Sequence, residues 1–232
     1  MNVIKELTHL YSRHRFACLF FSLLFTLVAA PVLGALEVSS WFMEVFVAFN
    51  ILAAVFFTLL SFSLYASLGL LVLFFVARSG YALLGFGPLL PTSQGIAAAI
   101  CFASALIMLR FMLRRGNIDS ERIFAALNVY LMIGLICGVV FSIFEEQWPG
   151  SFAIHSSFVH GSKNVLLEHG IYFSYVTLGT LGYGDIIPIS GPARALAVVE
   201  AIGGQMYLAV VVARLVGLYR TGAEQNDNDQ TN

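Results

Sequence analysis

The chain has 232 residues, 59% of them apolar and 11% charged, with a formal net charge of -1, and its mean hydropathy is +0.87. Soluble domains carry about 45–50% apolar and about 25% charged residues, so the composition argues against a water-soluble enzyme, and a pI of about 6.5 argues against a nucleic-acid partner. Cys18, Cys101 and Cys137 lie in apolar blocks without CxxC spacing and read as small buried hydrophobes rather than disulfide or metal ligands.

Residues 1–15 form a cytoplasmic N-terminal segment in which Ile4, Leu7 and Tyr11 recur at near-helical spacing beside Lys5 and Arg13, suited to the membrane surface or to flanking the first span. The first span is 16–36. Its apolar run exceeds the roughly 7–15 residues of a signal-peptide core, so it is expected to be retained, although Leu33-Gly34-Ala35 loosely resembles a cleavage site. Trp41 to Val76 is too long for one ordinary crossing and reads as a helical hairpin (42–60 and 63–78) or one long tilted helix. Basic residues collect on the cytoplasmic side. Arg13 and Arg15 therefore belong on the same side as Arg110, Arg114, Arg115 and Arg122, which favours the hairpin and a span at 95–113; Arg78 is the one charge that disagrees. Gly95 to Leu109 carries no charge, so the arginines beyond it read as snorkelling anchors, and 16–122 as a four-helix region unlike a typical voltage sensor.

Residues 123–144 form the next span. A polar outer stretch from Glu145 to Glu168 follows, and its histidines, with His169 just beyond, read as solvated, leaving external pH sensing open. Gly170 to Gly179 is too short to cross, 193–218 is the last span, and the polar, acidic residues 221–232 read as a disordered cytoplasmic tail. The expected fold is an all-α membrane protein of about six transmembrane helices. A short segment and a loop lie between the last two, within 123–220.

Thr180-Leu181-Gly182-Tyr183-Gly184-Asp185 lies in that loop. Irregular backbone at membrane depth is tolerated only where it is buried in protein or lines a watery cavity. Glycines at alternate positions allow backbone angles closed to other residues, so successive carbonyls can face one side and replace a cation's hydration shell. One copy supplies a quarter of a ring. The motif resembles the selectivity filter of potassium channels, the T-V-G-Y-G type. The segment Tyr172 to Thr177 resembles the pore helix, Pro188 fits a G-Y-G-D-x-x-P pattern, and Gly191-Pro192 opens a helix. Arg194 stands where many members carry arginine and Gly204 where the gating-hinge glycine often lies. The likeness covers roughly Gly170 to Arg220 and is to prokaryotic single-pore potassium channels.

That resemblance implies K⁺ sites at Thr180, Leu181, Gly182, Tyr183 and Gly184, with Asp185, Thr177, Tyr172 and Phe173 supporting the filter. It also implies a re-entrant pore helix and filter loop within a pore domain at 123–220, and a homotetramer in the plasma membrane with no cofactor beyond the permeant K⁺. The positive-inside bias places both termini in the cytoplasm, and the sequence offers no catalytic dyad, nucleotide loop or metal cluster, which argues against an enzyme. Several residues depart from the family. Gly179 replaces a frequent threonine, Val176 a glutamate that in some members bonds behind the filter, and Tyr172-Phe173 a tryptophan pair. Tyr183 is expected to pack behind the filter. Leu84-Gly85-Phe86-Gly87 echoes a filter but lacks the threonine and aspartate and reads as a turn before Pro88. Glu200, inside the last span, reads as a structural hydrogen-bonding group or a modulator of permeation and pH response. Gln205, Leu208, Val212 and Leu215 share a helical face, either cavity-lining or packed on the preceding span. A weakly selective cation channel, a potassium-transporter subunit and a non-conducting scaffold are the rival readings. In a voltage-clamped bilayer, the expected current lacks steep sigmoidal activation; several gating charges would contradict this.

Overall fold

A computed structural model describes residues 15–35, 72, 73, 76, 89–113, 119–154 and 165–230. The expected hairpin at 42–60 and 63–78, the Leu84–Gly87 segment, residues 1–14, Arg78, Arg114, Arg115, His155 and His160 lie outside or largely outside the described residues. The elements are α1 (Arg15–Ala35), α2 (Leu89–Leu113), α3 (Ser120–Gln147), β1 (Phe152–Ile154), α4 (Val165–Leu178), β2 (Ile186–Pro188) and α5 (Gly191–Gln230). Among the described residues, Thr92–Leu113, Ser120–Gln147 and Gly191–Arg214 are long and apolar enough to cross a membrane.

The helix ends follow local chemistry. Helix α2 starts at Leu89 rather than residue 95. Pro91 falls in its first turn, where the missing N–H has no intrahelical partner to lose. Asp119 caps α3, its carboxylate accepting from the Arg122 N–H at 3.0 Å. The Ser190 hydroxyl oxygen accepts from the Ala193 N–H at 3.3 Å at the start of α5. Helix α5 then continues to Gln230, so residues 221–230, expected as a disordered tail, are helical.

Helices α1, α2 and α3 share a core of Phe16, Leu19 and Leu23, Ala105 and Met108, and Ala125, Val129 and Met132. Lipid is as apolar as these side chains, so packing and interhelical hydrogen bonds hold membrane helices together. Buried Asn128 supplies one, donating to the Phe16 carbonyl at 2.7 Å, and the Phe16 N–H donates to Glu121 at 3.0 Å. The basic groups gather at this end. Arg15 and Arg122 lie over the Phe111 ring at 5.6 and 5.9 Å, and Arg214 donates to the Leu113 carbonyl at 2.6 Å.

Helix α4 runs back along α3. Its 14 residues span about 21 Å at 1.5 Å per residue, short of the roughly 30 Å of a bilayer core. Small residues set how closely it approaches. A Cβ on Gly138 would lie 2.6 Å from the Ile171 Cα, one on Gly134 2.6 Å from the Tyr175 ring, and one on Gly170 3.1 Å from the Ser142 backbone nitrogen. Beyond α3, strand β1 pairs antiparallel with β2, matching Phe152 with Pro188 and Ile154 with Ile186. Glu145 holds this turn by accepting from the Gly150 and Phe152 N–H groups at 2.8 and 3.0 Å. Part of the stretch expected to be polar loop is therefore an ordered cap.

Gly138→Ala is expected to push α4 off α3 at its backbone and to cost about 1–3 kcal/mol, the usual range for overpacking. Thermal unfolding in detergent checks this, with Gly95→Ala, where an added Cβ meets open space, as the control for the helix propensity that alanine adds.

Candidate functional site

The segment from Gly179 to Asp185 is built on the C-terminal end of α4. The Gly179 N–H donates to the Tyr175 carbonyl at 2.9 Å, Thr180 to Thr177 at 3.1 Å, and Leu181 and Gly182 to Val176 at 2.9 and 3.5 Å. Four successive N–H groups thus turn back onto the helix. Thr180, Gly182 and Gly184 have φ of 58°, 59° and 76°, while Leu181 and Tyr183 between them do not have positive φ. Residues of alternating handedness turn their N–H groups to one face of the chain and their carbonyls to the other. A β-branched residue in the left-handed region is a genuine outlier, so Thr180 is held against its own preference.

Of the residues expected to support this segment, Tyr172, Thr177 and Asp185 make hydrogen bonds at it, while Phe173 packs under the strand pair. The Tyr172 hydroxyl donates to Asp185 Oδ2 at 2.6 Å, and the Ile186 N–H donates to Oδ1 at 3.0 Å. Asp185 therefore has a phenol partner although Val176 cannot supply a carboxylate. Burial and the bond to Asp185 push the Tyr172 hydroxyl up to about 12. Phe173 is buried among Phe141 and Phe152, with ring centroids at 5.0 and 5.3 Å. Thr177 contributes its carbonyl to the turn. Tyr183, expected behind the segment, is 66% exposed in the single chain, and Leu181 is 57% exposed.

Residues 129–220 match the family model described as "Ion channel". Protein LctB of Bacillus caldotenax is 30% identical over 123 residues, covering 53% of this chain and 91% of that protein. Protein LctB of Geobacillus stearothermophilus is 33% identical over 102 residues, 44% of this chain and 74% of that protein. The chain belongs to the LctB family. Two-pore potassium channel 1 of Arabidopsis thaliana is 29% identical over 98 residues, 42% of this chain and 23% of that one. No solved structure matches significantly. The match to the ion-channel family begins in α3 and takes in α4, the glycine-rich segment and α5 as far as Arg220. The molecule is thus a multi-pass membrane channel with potassium-channel relatives, not an enzyme.

Below the segment, α5 meets the foot of α4. Leu178 is fully buried, and a Cβ on Gly204 would lie 2.6 Å from its Cδ1. Gly204 stands in an unbroken helix, and this close contact gives glycine a packing reason there beyond any hinge. Tyr130 donates to the Leu178 carbonyl at 2.9 Å, and the Gln205 amide lies 3.5 Å from the same oxygen. The α5 face packed on α3 carries Tyr207, whose hydroxyl donates to the Ala126 carbonyl at 2.7 Å, and Val211. Gln205 and Val212 are exposed, so theirs is not the packed face. Glu200 is buried and hydrogen-bonded to the Ser174 hydroxyl, which makes the structural hydrogen bond one of its roles. Arg194 donates through Nε to the Pro188 carbonyl at 3.1 Å. His169 is half-buried on α4 rather than solvated in a loop; burial lowers its pKa, opposed by Asp185.

Sequence reasoning passed over Gly134, Gly138, Tyr130, Ser174 and Tyr175, which hold α4 in place. The two glycines carried a signal, the GxxxG spacing of close-packed membrane helices. The hydroxyls carried none, since their carbonyl partners lie on other helices.

Tyr172→Phe is expected to cost about 1–2 kcal/mol, low in the range for a bond to a charged group because the tyrosine is exposed. A phenol raised to about 12 from an unfolded value of about 10 contributes stability that is complete below the lower value and lost as pH rises through the higher. Unfolding followed against pH should show that alkaline loss in the parent and a smaller one in the variant.

Proposed function

We propose that four copies of this chain form a channel that conducts K⁺ passively across the plasma membrane, with residues 180–184 as the selectivity filter. The observation that carries this is the alternation of positive φ at Thr180, Gly182 and Gly184. With the N–H groups of residues 179–182 spent on α4, the carbonyls of the segment are free to face an axis. Four such columns would offer rings of oxygens in place of a hydration shell, with the Thr180 hydroxyl adding a further ligand.

Further support comes from exposure and charge. Leu181 and Tyr183 are exposed in one chain, as they would be if neighbouring copies complete their packing. Arg15, Arg122 and Arg214 collect at the end of the bundle remote from the strand pair. By the positive-inside bias that end is cytoplasmic, and the filter's Asp185 end faces outward. A pore helix that descends partway and returns through the filter, flanked by α3 and α5 as outer and inner helices, completes the pore unit. With the hairpin at 42–60 and 63–78, each subunit would have about six spans. The printed name of the Arabidopsis relative, a two-pore potassium channel, agrees with K⁺ as the permeant ion.

Reconstitution in liposomes with K⁺ and Na⁺ flux, beside a Gly184→Ala variant, tests the proposal. Alanine at a φ of 76° costs about 1–2 kcal/mol per subunit and breaks the alternation. The expected result is K⁺-selective flux lost in the variant and a native mass of four chains. Equal flux of both ions would make this a weakly selective cation channel. Flux untouched by the variant would overturn the assignment of the filter, and a single-chain native mass would leave a scaffold.

A further inference from the structure

Ser174 is the point where α3, α4 and α5 meet. Its hydroxyl oxygen lies 2.7 Å from the Gly134 carbonyl of α3 and also bonds Glu200 Oε1 of α5. Both partners are acceptors when the carboxyl is ionised, and a serine hydroxyl has one proton. That single proton cannot serve both contacts. If Glu200 carries a proton, it donates to Ser174, Ser174 donates onward to Gly134, and every contact is a hydrogen bond. The second carboxyl oxygen points the same way. Glu200 Oε2 is buried, and beyond Ser174 the carboxyl meets only the Cys137 thiol, a weak donor, a deficit that costs most for a charged group.

The surroundings supply no counter-charge. Cys137 of α3 lies against the carboxyl, with Tyr130 of α3 and Tyr175 of α4 near enough to interact, and no Lys, Arg or His acts on it among the described residues. Tyr207 of α5 shares its cavity, a space of about 580 Å³ lined almost wholly by apolar side chains such as Val140, Leu196 and Val210.

We propose that Glu200 is a positioning residue for the filter, held as the neutral acid, whose proton completes a chain from α5 through Ser174 to α3 and so fixes the pore helix. This rests on the channel reading given above. Loss of the proton to solvent base reverses the chain. The Ser174 hydroxyl turns to the new carboxylate, the Gly134 carbonyl loses its donor, and α4 loses one of its ties to α3 six residues before Thr180. Conduction then falls as pH rises, the opposite of a pore mouth that attracts cations through an ionised glutamate.

The test compares the full-length protein in neutral-lipid vesicles with Glu200→Gln, Glu200→Ala and Ser174→Ala, reading infrared absorption of a protonated carboxyl and K⁺ flux against pH. The parent should show a protonated-carboxyl band near neutral pH that Glu200→Gln lacks. Its flux should fall with the protonated fraction, about tenfold per pH unit above the titration midpoint. Glutamine donates to Ser174 permanently, so that variant should conduct at all pH with a flat profile, while both alanine variants conduct poorly throughout. A parent without the band overturns the proposal whether or not ions flow, and so does a Glu200→Gln profile that tracks the parent. Absence of flux from the parent and every variant, with the band present, counts against the channel reading and removes the positioning role with it.

Discussion

The end of α4 inside the bundle is the constraint on which the rest depends. A helix that stops inside an apolar bundle leaves its last four carbonyls without intrahelical partners, and apolar side chains offer none. Here each is met. Tyr175 accepts from Gly179, Val176 from Leu181 and Gly182, Thr177 from Thr180, and Leu178 from Tyr130. The solution also shapes the segment that follows. The N–H groups that close the helix belong to the glycine-rich turn, so its donors point inward to α4 and its carbonyls are left for something else. Capping the helix and exposing the carbonyls are one arrangement.

Holding that arrangement requires α4 to sit close and stay still. Gly134 and Gly138 remove the side chains that would keep it away. Tyr175 then reaches the Leu131 carbonyl at 2.7 Å, Ser174 the Gly134 carbonyl, and Tyr207 ties α5 to α3 at Ala126. Each hydroxyl finds a carbonyl on a neighbouring helix, where an unmet polar group would be costly. The outer end is fixed differently, by aromatic packing of Phe141, Phe152 and Phe173 beneath the paired strands.

The part legible in the sequence was the part governed by local rules. Hydropathy placed the helices at 16–36 and 123–144 within a few residues, and the Thr-x-Gly-Tyr-Gly-Asp order marked the segment whose backbone alternates. What escaped depends on distant partners. Phe152 to Ile154 is too short to show a strand's period and is ordered by Ile186 to Pro188, over thirty residues away in sequence. The Tyr172–Asp185 bond needed the turn of α4 into the glycine-rich segment to be known first. Asn128 reads as an odd polar residue in an apolar run until the Phe16 carbonyl is set beside it. Helix α5 outruns its expected end because a polar composition does not by itself forbid helix.

The bareness of Leu181 and Tyr183 in a single chain carries a consequence for mixed populations. In a closed ring, every copy of a surface meets the same neighbour, and the proposed ion path is shared rather than owned. A cell making intact and damaged copies together would not lose conduction in proportion. The share of sound rings would fall as the fourth power of the share of sound chains, so a minority of altered copies would silence most of the assembled pores. A defect confined to this segment would therefore behave genetically as dominant, whereas one that stops α4 from docking on α3, and so keeps the chain out of the ring, would behave as recessive.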